Sequence, residues 1–224
     1  MPNYQVKFET IQVGNAIFEI RTLANQYQYP EADRAPEKDG ISAALWPYFG
    51  VIWPSGRMLA DTMSWFPIAG KKILEIGSGI ALASMVVHQR GGDIIVSDYN
   101  PMVEVFLLEN IALNHLPPLP FQLSDWAKAN PLLGKFDLII GSDILYERDH
   151  PQLLAAFIEC HANAQMEVII VDPGRKHHRK FSREMGDRGY LCAEETLQNT
   201  NPDGTTYRGR LLTYQRHDPI TDFA

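Results

Sequence analysis

Residues 70–100 read GKKILEIGSGIALASMVVHQRGGDIIVSDYN. An apolar run meets a glycine-rich turn, an amphipathic segment follows, and a second apolar run ends on Asp98. Gly77 and Gly79 let the backbone bend sharply and clear side chains from a ligand's approach. Asp98 lies 21 residues after Gly77 at the carboxyl end of the next predicted strand, where its carboxylate can accept both hydroxyls of a ribose. The stretch therefore points to an adenosine-bearing ligand. A dinucleotide site wants a third small residue three positions after the second glycine, to bring the helix N-terminus onto a pyrophosphate. Leu82 stands there. Glu75, just before the turn, adds an anion that suits a ligand carrying an ammonium and a sulfonium rather than phosphates.

Outward from this unit a strand–helix rhythm continues. Strands are predicted at KKILEIG, DIIVSD, PFQLSD, FDLIIGSDIL and EVIIVD, with helices over about 80–90, 101–114, 149–164 and 176–188. Near-continuous apolar strands alternating with helices predict an α/β fold, a doubly wound parallel sheet covered on both faces. The C-terminal part differs: YLCAEETLQ and TYRGRLLTYQRH are strand-like runs joined by the turn-rich NTNPDGT. A terminal hairpin of this kind is unusual in nicotinamide-binding domains and weighs against an oxidoreductase. Before the sheet, residues 4–24 alternate polar and apolar about a central GN, a β-hairpin pattern. A loop is predicted over 25–44, and then a helix from Ser55, capped by that serine, with Met58, Leu59, Met63 and Trp65 as its apolar face. Residues 1–44 thus read as an extension and 45–224 as the main domain.

Composition narrows the functional classes. The 224 residues are 45% hydrophobic and 21% charged, ordinary for a globular protein. No secretory signal pattern opens the sequence, and no apolar run nears the ~20 residues of a membrane span. Two isolated cysteines, Cys160 and Cys192, are not a disulfide framework and read as reduced thiols in a cytoplasmic protein. The formal net charge of -7 disfavours nucleic acid as a partner. One basic segment, GRKHHRKFSR at 174–183, runs against that balance and reads as a solvated helix face or as a site for an acidic partner or phosphate. Its adjacent His177 and His178 lack metal-ligand spacing, and no metal is expected. After the third strand, Asp125 can accept from an adenine amine and Trp126 can offer its face or edge to the base.

Together, VIWPSGRMLA, LEIGSGIALAS, VSDYNP, LSDW and GSDILYE resemble the class I, seven-β-strand S-adenosylmethionine-dependent methyltransferases. More narrowly they resemble methyltransferase family 16, which includes several protein lysine methyltransferases and bacterial relatives described as predicted nicotinamide N-methylases. The resemblance covers roughly residues 45–216. It implies a Rossmann-like sheet of seven strands in the order 3-2-1-4-5-7-6, the last antiparallel. It also implies S-adenosylmethionine as cosubstrate, S-adenosylhomocysteine as product, and a cofactor site of Trp53, Glu75, Gly77, Ser78, Gly79, Asp98, Tyr99, Asp125 and Trp126. Asp143 and Tyr146 match the family's DxxY motif, implicated in placing the acceptor amine; Ala81 stands where many class I enzymes carry a further glycine.

Methyl transfer is an in-line displacement that mainly requires alignment and exclusion of water, so a conspicuous catalytic constellation is not needed. No Asp/Asn-Pro-Pro-aromatic tetrad follows the fourth strand, which lowers adenine, cytosine and glutamine as acceptors. The resemblance implies N-methylation of a protein lysine. A small-molecule amine or pyridine N-methyltransferase is the alternative, and a non-catalytic interaction module with this fold a second. Arg175 is a candidate for meeting a substrate carboxylate, and the protein is expected to be a monomer.

Overall fold

The computed structural model describes residues 4–25, 46–128, 130–200 and 206–216. The expected loop at 25–44 and the boundary at 44/45 therefore lie almost wholly outside the described residues, as does most of the NTNPDGT turn.

The N-terminal hairpin pairs β1 (Val6–Val13) with β2 (Ala16–Leu23). Gly14 takes a φ of +56° at the first central position of the two-residue turn, as a hairpin of this hand requires. The main sheet contains β3 (Lys72–Ile76), β4 (Asp93–Asp98), β5 (Phe121–Leu123), β6 (Phe136–Ser142), β7 (Ala162–Asp172), β8 (Leu191–Thr200) and β9 (Thr206–Arg216). Its order is β5-β4-β3-β6-β7-β9-β8, which is 3-2-1-4-5-7-6 when counted from β3. β9 runs antiparallel to both neighbours, and the pairs β4/β5, β3/β4, β3/β6 and β6/β7 are parallel.

Alternation along the strands divides the core in two. Ile73, Ile140, Ile169 and Leu211 face one layer, and Leu74, Ile139, Ile170 and Leu212 the other. The first layer is closed by α1 (Pro54–Met63), α2 (Leu82–Gln89), α3 (Met102–Leu113) and the hairpin, through Leu59, Val86, Phe106, Phe18 and Ile20. The second is closed by α4 (His150–His161) and α5 (His178–Gly186), through Leu154, Ile158, Phe181 and Met185. The hairpin thus shares the domain's own core.

Two expectations for the first helix are corrected. Trp53, not Ser55, is the N-cap residue, with Pro54 opening the helix, where its lack of an N–H costs nothing. Ser55 lies inside the helix, and its hydroxyl bonds the Tyr207 hydroxyl at 2.9 Å. Trp65 lies beyond the C-cap at Ser64 and is 66% exposed, so it is not part of the buried face. β6 also stops at Ser142 rather than Leu145, because Asp143 turns the chain with a φ of +55°.

The outer edge of β2 is closed by side chains instead of a third strand. Asn110 Oδ1 accepts the Arg21 N–H at 2.7 Å and its Nδ2 donates to the Arg21 carbonyl at 3.2 Å. One turn on, Asn114 repeats the pair with Glu19 at 2.9 and 2.8 Å. Two asparagines four residues apart on a helix thus imitate a strand edge, where unpaired backbone groups would otherwise be left. Asn110 is fully buried, so Asn110→Ala strands two backbone groups away from water. The expected loss is about 2–4 kcal/mol in urea unfolding, with a smaller loss for Asn114→Ala at the wetter end. Equal and negligible losses would show that the ladder does not hold the hairpin.

Candidate functional site

The strand order reverses beside β3: β4 and β5 lie on one side and β6 and β7 on the other. Loops leaving the carboxyl ends of strands diverge at such a point and open a crevice. Here the turn after β3 is the tightest. Gly77, Gly79 and Ala81 take φ values of +58°, +52° and +58°. A Cβ on Gly77 would lie 2.7 Å from Ile144 Cγ2, and one on Gly79 3.2 Å from the Phe49 carbonyl oxygen. These glycines answer both a backbone requirement and a packing one. Ala81 carries a methyl in the same left-handed region, at a cost of roughly 1–2 kcal/mol, and is the N-cap of α2 with no side-chain cap of its own.

Glu75 supplies that cap from the strand. Its Oε2 accepts the Ser84 N–H at 2.9 Å and also the Ser84 hydroxyl. An anion at a helix N-terminus is favoured by the orphan amides and the macrodipole. At 3% exposure, however, burial pushes the Glu75 carboxyl up to about 7; the Ser84 bonds oppose the rise, and Asp98 adds slightly to it. Asp98 fastens the same turn from β4, accepting the Gly79 N–H at 2.9 Å and the Asn100 N–H at 2.8 Å. Burial raises its pKa against the pull of those bonds.

These residues line a cleft of about 790 Å³. All eleven residues expected from the sequence stand around it: Trp53, Glu75, Gly77, Ser78, Gly79, Asp98, Tyr99, Asp125, Trp126, Asp143 and Tyr146. Trp53 stacks edge-on to Tyr48 at 5.3 Å and donates its indole N–H to the Tyr48 carbonyl at 2.9 Å, which ties the upper wall to a short 3-10 helix, Trp46–Gly50. At the far end Asp125 accepts the Ala127 N–H at 2.9 Å and pairs with Lys128 at 3.0 Å. Two hydroxyls in the lining, Ser78 and Ser124, are buried without a protein partner. A buried orphan donor is costly unless a ligand or water meets it, so the cleft is made for a polar occupant.

At the end of β6, beside the glycine turn, Asp143 Oδ1 accepts from Arg175 Nε at 2.5 Å. Arg175 is presented by a turn that Asp172 pins by accepting the Gly174 and Arg175 N–H groups at 2.8 and 2.7 Å. The guanidinium also lies 5.9 Å from the Tyr146 ring centroid. Arg175, the candidate for a substrate carboxylate, gives its Nε to the chain's own Asp143 and lines the cleft. Burial first, then the Asp98, Glu147 and Asp143 carboxylates, push the Tyr146 hydroxyl up to about 12, so it keeps its proton at neutral pH. His150 joins the two ends of the cleft, edge-on to Tyr146 at 4.6 Å and to Trp126 at 5.3 Å, with Nδ1 2.7 Å from the Ile144 carbonyl.

Sequence reasoning missed His150, Ser124, Asn100 and the Asp143–Arg175 pair. Ser124 and Asn100 stand inside the quoted motifs LSDW and VSDYNP, beside Asp125 and Tyr99, and could have been added from them. His150 carries no local signal, and Arg175, a candidate from the sequence, gives no local sign that Asp143 is its partner. Among the described residues no group of three or more His, Cys, Asp or Glu side chains could hold a metal, and no helix is long and apolar enough to cross a membrane.

Known proteins place the chain in a family. A family model described as lysine methyltransferase matches residues 38–186. The electron transfer flavoprotein beta subunit lysine methyltransferase of Rattus norvegicus is 31% identical over 163 residues, covering 69% of this chain and 62% of that one. The calmodulin-lysine N-methyltransferase of Arabidopsis thaliana is 28% identical over 157 residues, covering 63% and 52%. The chain thus spans between half and two thirds of these relatives' length. Among solved structures, magnesium protoporphyrin IX methyltransferase from Synechocystis with bound SAM superposes with a TM-score of 0.57 at 18% identity, covering 72% of this chain and 79% of that one. A doubly wound sheet with a terminal antiparallel strand, a glycine turn bound by two acidic residues, and a family match over most of the sheet lead to one assignment: the chain belongs to the lysine methyltransferase family.

Proposed function

We propose that this protein transfers a methyl group from S-adenosylmethionine to the side-chain amine of a lysine in a protein substrate. The observation that carries the reading is the single cleft in which the turn bound by Glu75 and Asp98 lies beside Asp143 and Tyr146. Relatives named for methylating lysines of the electron transfer flavoprotein beta subunit and of calmodulin support the acceptor class. The net charge of -7 and the lack of a Pro-Pro-aromatic loop after β6 argue against a nucleic-acid base. We place catalysis in the unit from residue 45 onward, with the hairpin as its brace, and read the protein as a cytoplasmic monomer.

The residues present fit such a cosubstrate. Asp98 is positioned for ribose hydroxyls, Ser78 and Ser124 offer unpaired hydroxyls, Glu75 supplies an anion for an ammonium, and Trp126 with Asp125 borders the base end. The bound cosubstrate supplies a methyl carbon already activated by sulfonium. The chain has to deliver a neutral amine in line with it, and lysine begins mostly as ammonium. A bare carboxylate at Asp143 would hold the amine in that charged form. Paired with Arg175, Asp143 keeps its accepting oxygens while its field is largely cancelled, so the amine can shed its proton to water. The protonated Tyr146 hydroxyl orients the nitrogen, and its ring faces the charge that develops there.

Calorimetry with S-adenosylhomocysteine is expected to give saturable binding that Asp98→Ala weakens by roughly 10–100-fold through loss of charge-assisted hydrogen bonds. Absence of binding by the unaltered protein would remove the methyltransferase reading.

Glu75 makes the affinity depend on pH. An ammonium-bearing ligand favours its ionised form, so binding should weaken as pH falls below about 7, and Glu75→Gln should flatten that dependence. Without ligand the sign is opposite for stability. A carboxyl whose folded pKa is raised contributes fully below its ordinary value of 4.5, and that contribution is lost as pH rises through about 7. Glu75→Gln should therefore gain stability relative to the parent as pH rises through about 7, by roughly 3 kcal/mol. A parallel pair of stability profiles would refute the buried-carboxyl account.

For transfer itself, Asp143→Asn and Tyr146→Phe should lower kcat by about 100-fold or more while leaving S-adenosylhomocysteine affinity close to the parent's. Loss of binding in step with loss of rate would assign both residues to the cosubstrate instead.

A further inference from the structure

The basic segment 174–183 is not used by the cleft beyond Arg175. In α5 the residues His178, Phe181 and Met185 are buried, which turns Arg179 and Arg183, one helical turn apart, to solvent. Lys176, in the turn before the helix, is exposed too, and so is Arg148 across the lip. Lys180 Nζ bonds the Gln152 Oε1 at 2.8 Å and reaches the Arg148 carbonyl, which holds the helix against the loop after β6.

These cations are handled differently from most others in the molecule. Lys7, Arg21, Lys71, Lys128, Arg175, Arg188, Arg210 and Arg216 each pair with a carboxylate. Arg148, Lys176, Arg179 and Arg183 form no ion pair with a described residue, in a chain whose formal charge is -7. A cluster of uncompensated positive charges on one turn and the helix after it gives an acidic protein a local attractive field at that place. That place begins where Arg175 enters the cleft and runs away from it along α5.

We infer that Lys176, Arg179 and Arg183 form a docking stripe for an acidic segment of the protein substrate, next to the lysine being methylated. This rests on the lysine methyltransferase reading. Four helical residues rise about 6 Å, the reach of about two residues of extended chain. Two carboxylates about two positions apart on an extended segment therefore match the spacing of Arg179 and Arg183. Glu147, exposed on the cleft rim, would repel an acidic residue directly adjoining the lysine, so acidic residues are favoured on the flank lying along α5. A nucleic acid also seeks cations, but its continuous phosphates would run past the stripe onto an acidic surface. A short acidic peptide segment needs only the stripe itself.

The test uses fluorescein-labelled peptides with one central lysine and Glu, Gln or Lys at the flanking positions, placed on either side, read by anisotropy against the full chain with and without S-adenosylhomocysteine. The better-placed Glu peptide is expected to bind about tenfold tighter than the Gln peptide, as three screened charge pairs provide. The advantage should shrink as salt rises from about 50 to 300 mM. The triple variant K176E/R179E/R183E should abolish it, and the milder R179Q/R183Q should reduce it, with thermal midpoint and S-adenosylhomocysteine affinity unchanged in both. Equal binding of Glu and Gln peptides, an advantage that survives the triple variant, or tighter binding of oligothymidylate than of the Glu peptide would overturn the inference. Because the peptide readout does not need turnover, its failure is distinct from failure of S-adenosylhomocysteine binding, which would instead overturn the enzymatic reading.

Discussion

Glu75, one residue before the end of β3, caps the N-terminus of α2, with one oxygen accepting both the amide and the hydroxyl of Ser84. Ala81, the N-cap residue, has no side chain able to cap that helix. The turn between strand and helix must therefore curl back over the carboxylate, and it does so through three left-handed residues in five positions. Asp98 then binds the turn to the neighbouring strand. The floor of the cleft, the start of α2 and the β3/β4 pair are thus held by two acidic side chains, each tied down by hydrogen bonds from the chain itself.

Burial gives two parts of the cleft different electrostatics. At the glycine turn the carboxylates of Glu75 and Asp98 are desolvated and share no cation, so their charge is costly and available to a positively charged occupant. At the end of β6, beside that turn, Asp143 has Arg175 in direct contact. One part is poised to gain from a cation, while the other has its charge already answered. That difference suits a ligand bearing an ammonium on one side and an acceptor amine that must arrive neutral on the other.

The hairpin contributes by indirect means. Phe18 and Ile20 belong to the same core as α1, α2 and α3, and the Asn110–Asn114 ladder pairs the free edge of β2 at Arg21 and Glu19. Arg21 adds its pair with Glu109 and lies 4.5 Å from the Phe106 ring centroid. Phe106 in turn meets Phe49 edge-on at 5.0 Å, and the Phe49 carbonyl closes over Gly79. A chain of direct contacts thus runs from an apparently peripheral element to the turn that floors the cleft.

Much of this was legible in the sequence. Period-two and period-3.6 patterns express burial directly, so the order of strands and helices from Lys72 onward could be read from local apolar spacing. The glycine turn was equally plain, because only particular residue types tolerate its backbone. Helix and strand ends were less so: Ser55 looked like a cap until Pro54 took the first position, and β6 was read three residues too long because Asp143 gives no local sign of a positive φ. What the sequence by itself determined is the set of elements and the candidates at or just after the carboxyl ends of strands, such as Gly77, Asp98 and Asp125. The tertiary structure alone decided which side chains meet across them. Arg175 reaches Asp143 from 32 residues away, His150 bridges Tyr146 and Trp126, and Asn110 grips Arg21 from 89 residues away. Such partners depend on strand order and loop direction, which place distant residues in contact and leave no periodic trace in the chain.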